Sequence, residues 1–225
     1  MSDTRYDEVV ARLATLPAPL PEPPAALTPV RTNSDIPLSF SPDPSTVKQA
    51  AVLVLVVPGG DGEARVVLTE RVDRGGHHSG EVSFPGGRAE PTDPDLTATA
   101  LREAYEEVGL DAVAAGVRIV GSLDPFWIPV SDFEVTPIVA VAGRRPRLTA
   151  APAEVARIIE APLAAFLPGA RLEIVERTIR DWDLRYAAYP IDGARVWGAT
   201  ARILGQLGAI IAAHDAAPTA GVREP

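Results

Sequence analysis

The stretch FPGGRAEPTDPDLTATALREAYEEVGL, Phe84 to Leu110, decides how this chain is read. A paired-glycine turn leads through a short loop into a helix predicted from about Pro94 to Val108. Asp93 is positioned as N-cap, Pro94 suits the first helical position and Gly109 suits the stop. At 100° per residue, Leu101, Ala104 and Val108 cluster on one face, and Glu103, Glu106 and Glu107 are expected to gather roughly opposite. Like charges at i, i+3 and i+4 cost a helix about 0.2–0.5 kcal/mol per pair, so something offsets that repulsion. A divalent cation does so naturally. Oxygen donors without His or Cys suit Mg²⁺ or Mn²⁺ rather than Zn²⁺, and Mg²⁺ held by a few carboxylates points to phosphate chemistry. Gly86 and Gly87 permit a backbone turn that aims a carbonyl or amide at the same ion. Arg102, beside the acids, pairs with one of them and fixes its rotamer.

Working outward, Gln49–Pro58 and Ala64–Arg71 read as strands joined by the GGDGE hairpin, and the apolar run from Ala50 reads as a buried strand. Further strands are expected at Val82–Phe84, Val117–Leu123, Phe133–Ala142, Val155–Ile159, Leu172–Thr178 and Leu184–Ile191, with a closing helix from about Val196 to Ala213. Residues 4–15 pattern as a short amphipathic helix, followed by a proline-rich connector, Leu16 to Pro29, that either wraps the domain or is mobile. The fold class is α/β (α+β), a mixed β-sheet sandwiched between helices. The expected organisation is an N-terminal helix and connector over 1–47, a catalytic domain over 48–214 and a tail over 215–225.

Composition narrows the function. Hydrophobic residues make up 46% of the 225, enough for a sizeable core. A net charge of −9 argues against a nucleic-acid binder that relies on an overall basic face. The absence of cysteine excludes disulfides, thiolate metal sites and a cysteine nucleophile, and fits a cytoplasmic protein. The opening MSDTRYDEVV carries no apolar signal region, and no run is long enough to span a bilayer, so no membrane role is expected.

Gly87, Asp93 and REAYEEVGL from Arg102 resemble the box of the Nudix hydrolases: a glycine, an acid, then R-E-apolar-x-E-E-x-G-apolar. The usual box places Glu eight residues before the Arg. Here Pro94 holds that place and Asp93 lies nine before Arg102, an expansion that resembles the branch hydrolysing coenzyme A. Upstream, Leu68, Thr69, Arg71, Gly80, Phe84, Pro85, Gly86 and Gly87 are similar to that branch's second motif, and FEVTPIVA and RVWGATARIL resemble it downstream. Val72 stands where the motif has Ser, and Gly76 where it has Arg. Arg74, close by, is the candidate replacement for that lost cation.

The resemblance covers roughly Lys48 to Ala213 and implies a Nudix fold. It also implies attack of a metal-activated water on a diphosphate, with Mg²⁺ or Mn²⁺ as cofactor. Glu103 and Glu107 are the first-choice ligands, Glu106 completes the cluster, and Gly87 contributes backbone. Arg102 orients, and the general base is either Glu103 or Glu154. Arg71, Arg74, His78 and Phe126 are the candidate substrate contacts. The implied substrate is coenzyme A or an acyl derivative. ADP-ribose, a dinucleotide or a nucleoside triphosphate is the enzymatic alternative, and a nucleotide-sensing module the non-enzymatic one. The reading leaves room for a homodimer.

Elsewhere, His77 and His78 fall in a glycine-rich loop near the site, where exposed histidines are more often inert. GRRPR, Gly143 to Arg147, reads as soluble surface before a phosphate site. Trp182 and Trp197 read as core or interface, whereas Phe126 and Trp127 sit in a predicted loop that allows stacking.

Overall fold

The apolar run beginning at Ala50 becomes the central strand. The computed structural model describes residues 4–32, 46–72, 81–129, 131–179 and 182–216; Arg74, His77 and His78 lie outside them. In chain order these form α1 (Tyr6–Arg12), β1 (Val30–Arg31), β2 (Lys48–Pro58), β3 (Ala64–Arg71), β4 (Val82–Ser83), β5 (Gly86–Arg88) and α2 (Leu96–Val108). There follow β6 (Val117–Ser122), β7 (Phe126–Ile128), β8 (Phe133–Ala142), β9 (Val155–Pro162), β10 (Glu173–Ile179), β11 (Trp182–Ile191), β12 (Ala194–Val196) and α3 (Gly198–Ala216).

Side chains alternate across a strand, so β2 feeds two cores. Ala51, Leu53, Leu55 and Val57 pack with Ala100, Ala104 and Val108 of α2. Val54 and Val56 face the other way, into a cluster holding Val9 of α1, Leu13 at its C-cap, Leu27, and Leu204, Leu207 and Ile211 of α3. A strand buried on both faces has no polar alternation, which is why this run is apolar throughout. Each such Val or Leu contributes about 1.5–3 kcal/mol relative to an exposed position.

The larger sheet is mixed, in the order β4-β3-β2-β8-β6, with β5 and β7 joining the edges of β2 and β8 and β9 pairing β3. Strands β2 and β8 run parallel from Lys48↔Phe133 to Val56↔Val141. The hairpin β2–β3 closes only over Val56↔Val66 to Pro58↔Ala64. Beyond it the two strands part: β2 takes β5 as partner over Ala50–Val52, and β3 takes β4 at Thr69 and Glu70. The gap between them is therefore filled by the FPGG turn. A smaller antiparallel sheet, β1-β11-β10 with β12 on β11, stands beside it. The helices lie on opposite faces of the larger sheet, so the mixed, helix-flanked architecture is present as expected.

Three local expectations need correction. The α2 N-cap is Asp95, whose side chain accepts from Ala98 N at 2.8 Å; the helix starts at Leu96, and Asp93 has another task. The predicted loop at Phe126 and Trp127 is strand β7, paired with β8 over Phe133–Val135. The last helix begins at Gly198 rather than Val196, because Gly198 sits at φ 62°, a left-handed break before the first turn. Gly109, at φ 64°, closes α2 as its position in the sequence required.

Residues 16–32 form a strap across α3. A 3₁₀ turn at Ala25–Leu27 buries Leu27, Gln206 Nε2 donates to the Pro21 carbonyl at 3.0 Å, and Arg202 Nη1 donates to Thr28 Oγ1 at 2.5 Å.

Candidate active site

The parting of β2 from β3 sets the backbone of Gly86 and Gly87 against the outer side of α2. A Cβ on Gly86 would lie 2.4 Å from the Ala51 carbonyl oxygen, so only glycine lets β5 pair this closely with β2. A Cβ on Gly87 would lie 2.5 Å from Glu103 Oε1. The Glu103 carboxylate thus occupies the space that a side chain at Gly87 would fill.

The three glutamates do not share one environment. Glu106 is exposed. Glu103 is partly buried, and burial raises its carboxyl's pKa although Arg102 works against it. Glu107 is 5% exposed, accepts from Gly86 N at 3.2 Å, and burial pushes its pKa up to about 7. The Glu107 side chain therefore lies on the buried seam of the helix, and its expected place opposite the apolar stripe is corrected. At 100° per residue it stands roughly 60° from Ala104, close enough to be covered by the sheet.

Arg102 ties the region together. Its Nε and Nη2 grip Asp93 at 3.0 Å each, Nη1 reaches Glu103 at 3.0 Å and Glu106 at 3.1 Å, and Nη2 also donates to the Arg88 carbonyl at 3.0 Å. The guanidinium holds Asp93 well below the usual carboxylate range, helped by bonds from Glu90 N and the Thr99 hydroxyl. This is a planar fork used at full valence, locking β5 to α2.

Glu154 lies just before β9 and is exposed; its charge raises the pKa of both Glu103 and Glu107, so it stands near them. Arg71, at the end of β3, acts oppositely and lowers that of Glu107.

A cavity of about 900 Å³ opens beside Gly86 and Gly87. Arg71 and Phe126 line it, as do Trp127, Trp182 and Trp197, so all three tryptophans of the chain are on its wall. Trp197 also stacks on Tyr186 at 4.9 Å and Trp182 lies under Arg31, so the two indoles are packed in the fold as well as bordering the cavity. The lining carries Arg71, Arg88 and Arg202 against one carboxylate, Glu81, in a chain of net charge −9. The GRRPR segment is not on this wall; its Arg145 pairs with Glu160 at 3.0 Å. Sequence reasoning missed Asp93 as the anchor of Arg102, Arg88, and the α3 residues Thr200 and Arg202. The DPD spacing, which offers two caps for one helix, was the only local signal for the first of these.

As they stand, no three His, Cys, Asp or Glu side chains among the described residues converge closely enough to ligate one ion. The donor set nevertheless fits a hard dication: Glu103 nested on the Gly87 backbone, Glu107 desolvated with a single amide donor, and Glu154 adding charge to both. Buried, mutually repelling carboxylates gain most from a cation.

The NUDIX domain profile matches residues 47–173. "Nudix hydrolase 15, mitochondrial" from Arabidopsis thaliana is 38% identical over 181 residues, which is 76% of this chain and 61% of that protein. "Uncharacterized Nudix hydrolase NudL" from Salmonella paratyphi B is 38% identical over 169 residues, 71% of this chain and 81% of that one. Among solved structures, the MutT protein from Methanosarcina mazei Go1 covers 79% of this chain and 99% of its own, at a TM-score of 0.46 and 16% identity. The chain spans about three fifths of the plant relative's length, 61%. A match over more than half of the chain, falling on the strands and helix that assemble the acid cluster, makes this chain a member of the Nudix hydrolase family.

Proposed function

We propose that this protein is a metal-dependent diphosphatase that cleaves the diphosphate link of coenzyme A or an acyl derivative, giving 3′,5′-ADP and a 4′-phosphopantetheine product. The observation that carries the reading is the cavity: cationic and tryptophan-walled, beside an acid cluster on α2. Arginines suit a polyanionic chain of phosphates, and indole faces suit a base or an apolar arm. The family hydrolyses phosphorus-containing anhydrides, which agrees with this reading.

Glu103, Glu106 and Glu107, with the Gly87 backbone, would hold Mg²⁺ or Mn²⁺. That ion supplies charge neutralisation at the phosphate oxygens and acidifies water. Arg102 keeps Glu103 and Glu106 in register with Asp93 as its anchor. Arg71 meets the diphosphate. The Glu154 carboxylate makes no hydrogen bond with a described residue, so it is available to take the proton of the attacking water; Glu103, held by Arg102, is the lesser candidate. Water oxygen bonds to phosphorus, the bridging oxygen departs with the other phosphate, and one proton passes to the base.

The test is kcat/KM for coenzyme A and ADP-ribose under identical Mn²⁺. At least tenfold preference for coenzyme A is expected, and tenfold preference for ADP-ribose refutes the substrate. Glu154→Gln should lower kcat by about a hundredfold or more without weakening metal binding, the usual scale for a lost general base.

A further inference from the structure

Helix α3 begins on the cavity wall, where Gly198, Ala199 and Thr200 contribute to the lining. The amides of a first helical turn have no partner within the helix, and the dipole leaves partial positive charge there. None of the amides of Gly198, Ala199 or Thr200 has an acceptor among the described residues. Thr200 is 9% exposed, and its hydroxyl likewise has no partner among the described residues. On a residue so largely buried that still lines the cavity, a hydroxyl without a protein partner is available to an acceptor held there. One turn on, Arg202 also lines the cavity, and its Nη1 is fixed by Thr28 of the strap at 2.5 Å, which leaves other guanidinium donors for the cavity.

We propose that the first turn of α3, with the Thr200 hydroxyl and Arg202, binds a phosphate monoester carried by the substrate away from the diphosphate being cut. Several donors converging beside a cation suit a dianionic group with three acceptor oxygens better than a carboxylate. Because the same cavity also reaches Arg71 and Gly87, one elongated ligand would place its diphosphate there and its monoester at α3. The inference deepens the coenzyme A reading, which supplies such a monoester, but it does not stand or fall with turnover of that molecule.

Orthophosphate titrated into metal-free protein at constant ionic strength, followed by backbone amide shifts, tests it directly. Saturable shifts at Ala199 and Thr200 are expected, with Kd about tenfold weaker in Thr200→Val and in Arg202→Gln, the factor for one charge-assisted contact. Thr200→Ser, which keeps the hydroxyl, should retain the wild-type Kd, and thermal midpoints report whether each variant is folded. Shifts confined to Gly86 and Gly87, or a Kd within twofold of wild type in both Thr200→Val and Arg202→Gln, overturn the site. Neither result depends on which diphosphate the enzyme hydrolyses.

Discussion

Glu107 keeps its proton in the folded chain up to about pH 7, against an ordinary value of 4.5, because burial disfavours the anion. The folded state therefore binds the extra proton between those two values, and its stability falls as pH rises through that window. The effect is on the order of 3 kcal/mol for such a shift. Metal-free protein should show a lower thermal midpoint at pH 8 than at pH 5, and Glu107→Gln should flatten the difference. At pH 8, Mn²⁺ should raise the midpoint of wild type more than that of Glu107→Gln; equal gains would remove Glu107 from the ligand set. Three glutamates and an arginine were legible in the sequence, since their types and spacing state their chemistry. Their separate burial was not, because a helical projection assigns an angle but not the width of the surface that covers it. Asp93 was misread for a related reason. Two aspartates flank Pro94, and only the position of Arg102 in space decides which one caps and which one anchors.

Strand β5 and helix α2 succeed as a pair because two adjacent glycines answer two different neighbours. Gly86→Ala drives a methyl onto the Ala51 carbonyl and Val52 Cα, main-chain atoms that cannot step aside. Gly87→Ala meets only the end of the Glu103 side chain, which can rotate away. The first should cost about 3 kcal/mol or more by denaturant unfolding, the scale of severe overpacking. The second should leave stability nearly unchanged yet weaken Mn²⁺ binding, measurable by calorimetry. Asp95→Ala should cost about 1 kcal/mol through the lost cap, and Asp93→Ala should spare the cap but release Arg102. The long elements were readable from periodicity and stop signals. β5 and β7, three residues each, were not, for a segment shorter than two alternations carries no period.

The cavity draws its wall from Thr28 to Ile203, so no local window of sequence could have announced it. Trp127 of β7, Trp182 of β11 and Trp197, just ahead of α3, come to one cavity wall only through the packing of those elements. Leu27, fully buried, seats the strap against Gly205 of α3; Leu27→Ala should cost about 2–5 kcal/mol and loosen the wall, with heightened protease cutting in residues 16–32. The strap also dictates an order of assembly. The β2–β3 hairpin closes within a few residues, but Thr28 and Arg202 are 174 positions apart, and Pro21 and Gln206 are 185 apart. A ribosome lays down the acid helix long before the last helix that completes the pocket. Until α3 docks and the strap closes over it, the cavity lacks the part of its wall that Thr28 and residues 198–203 supply, so on the proposed function the growing chain would have its acids before it had a place for substrate.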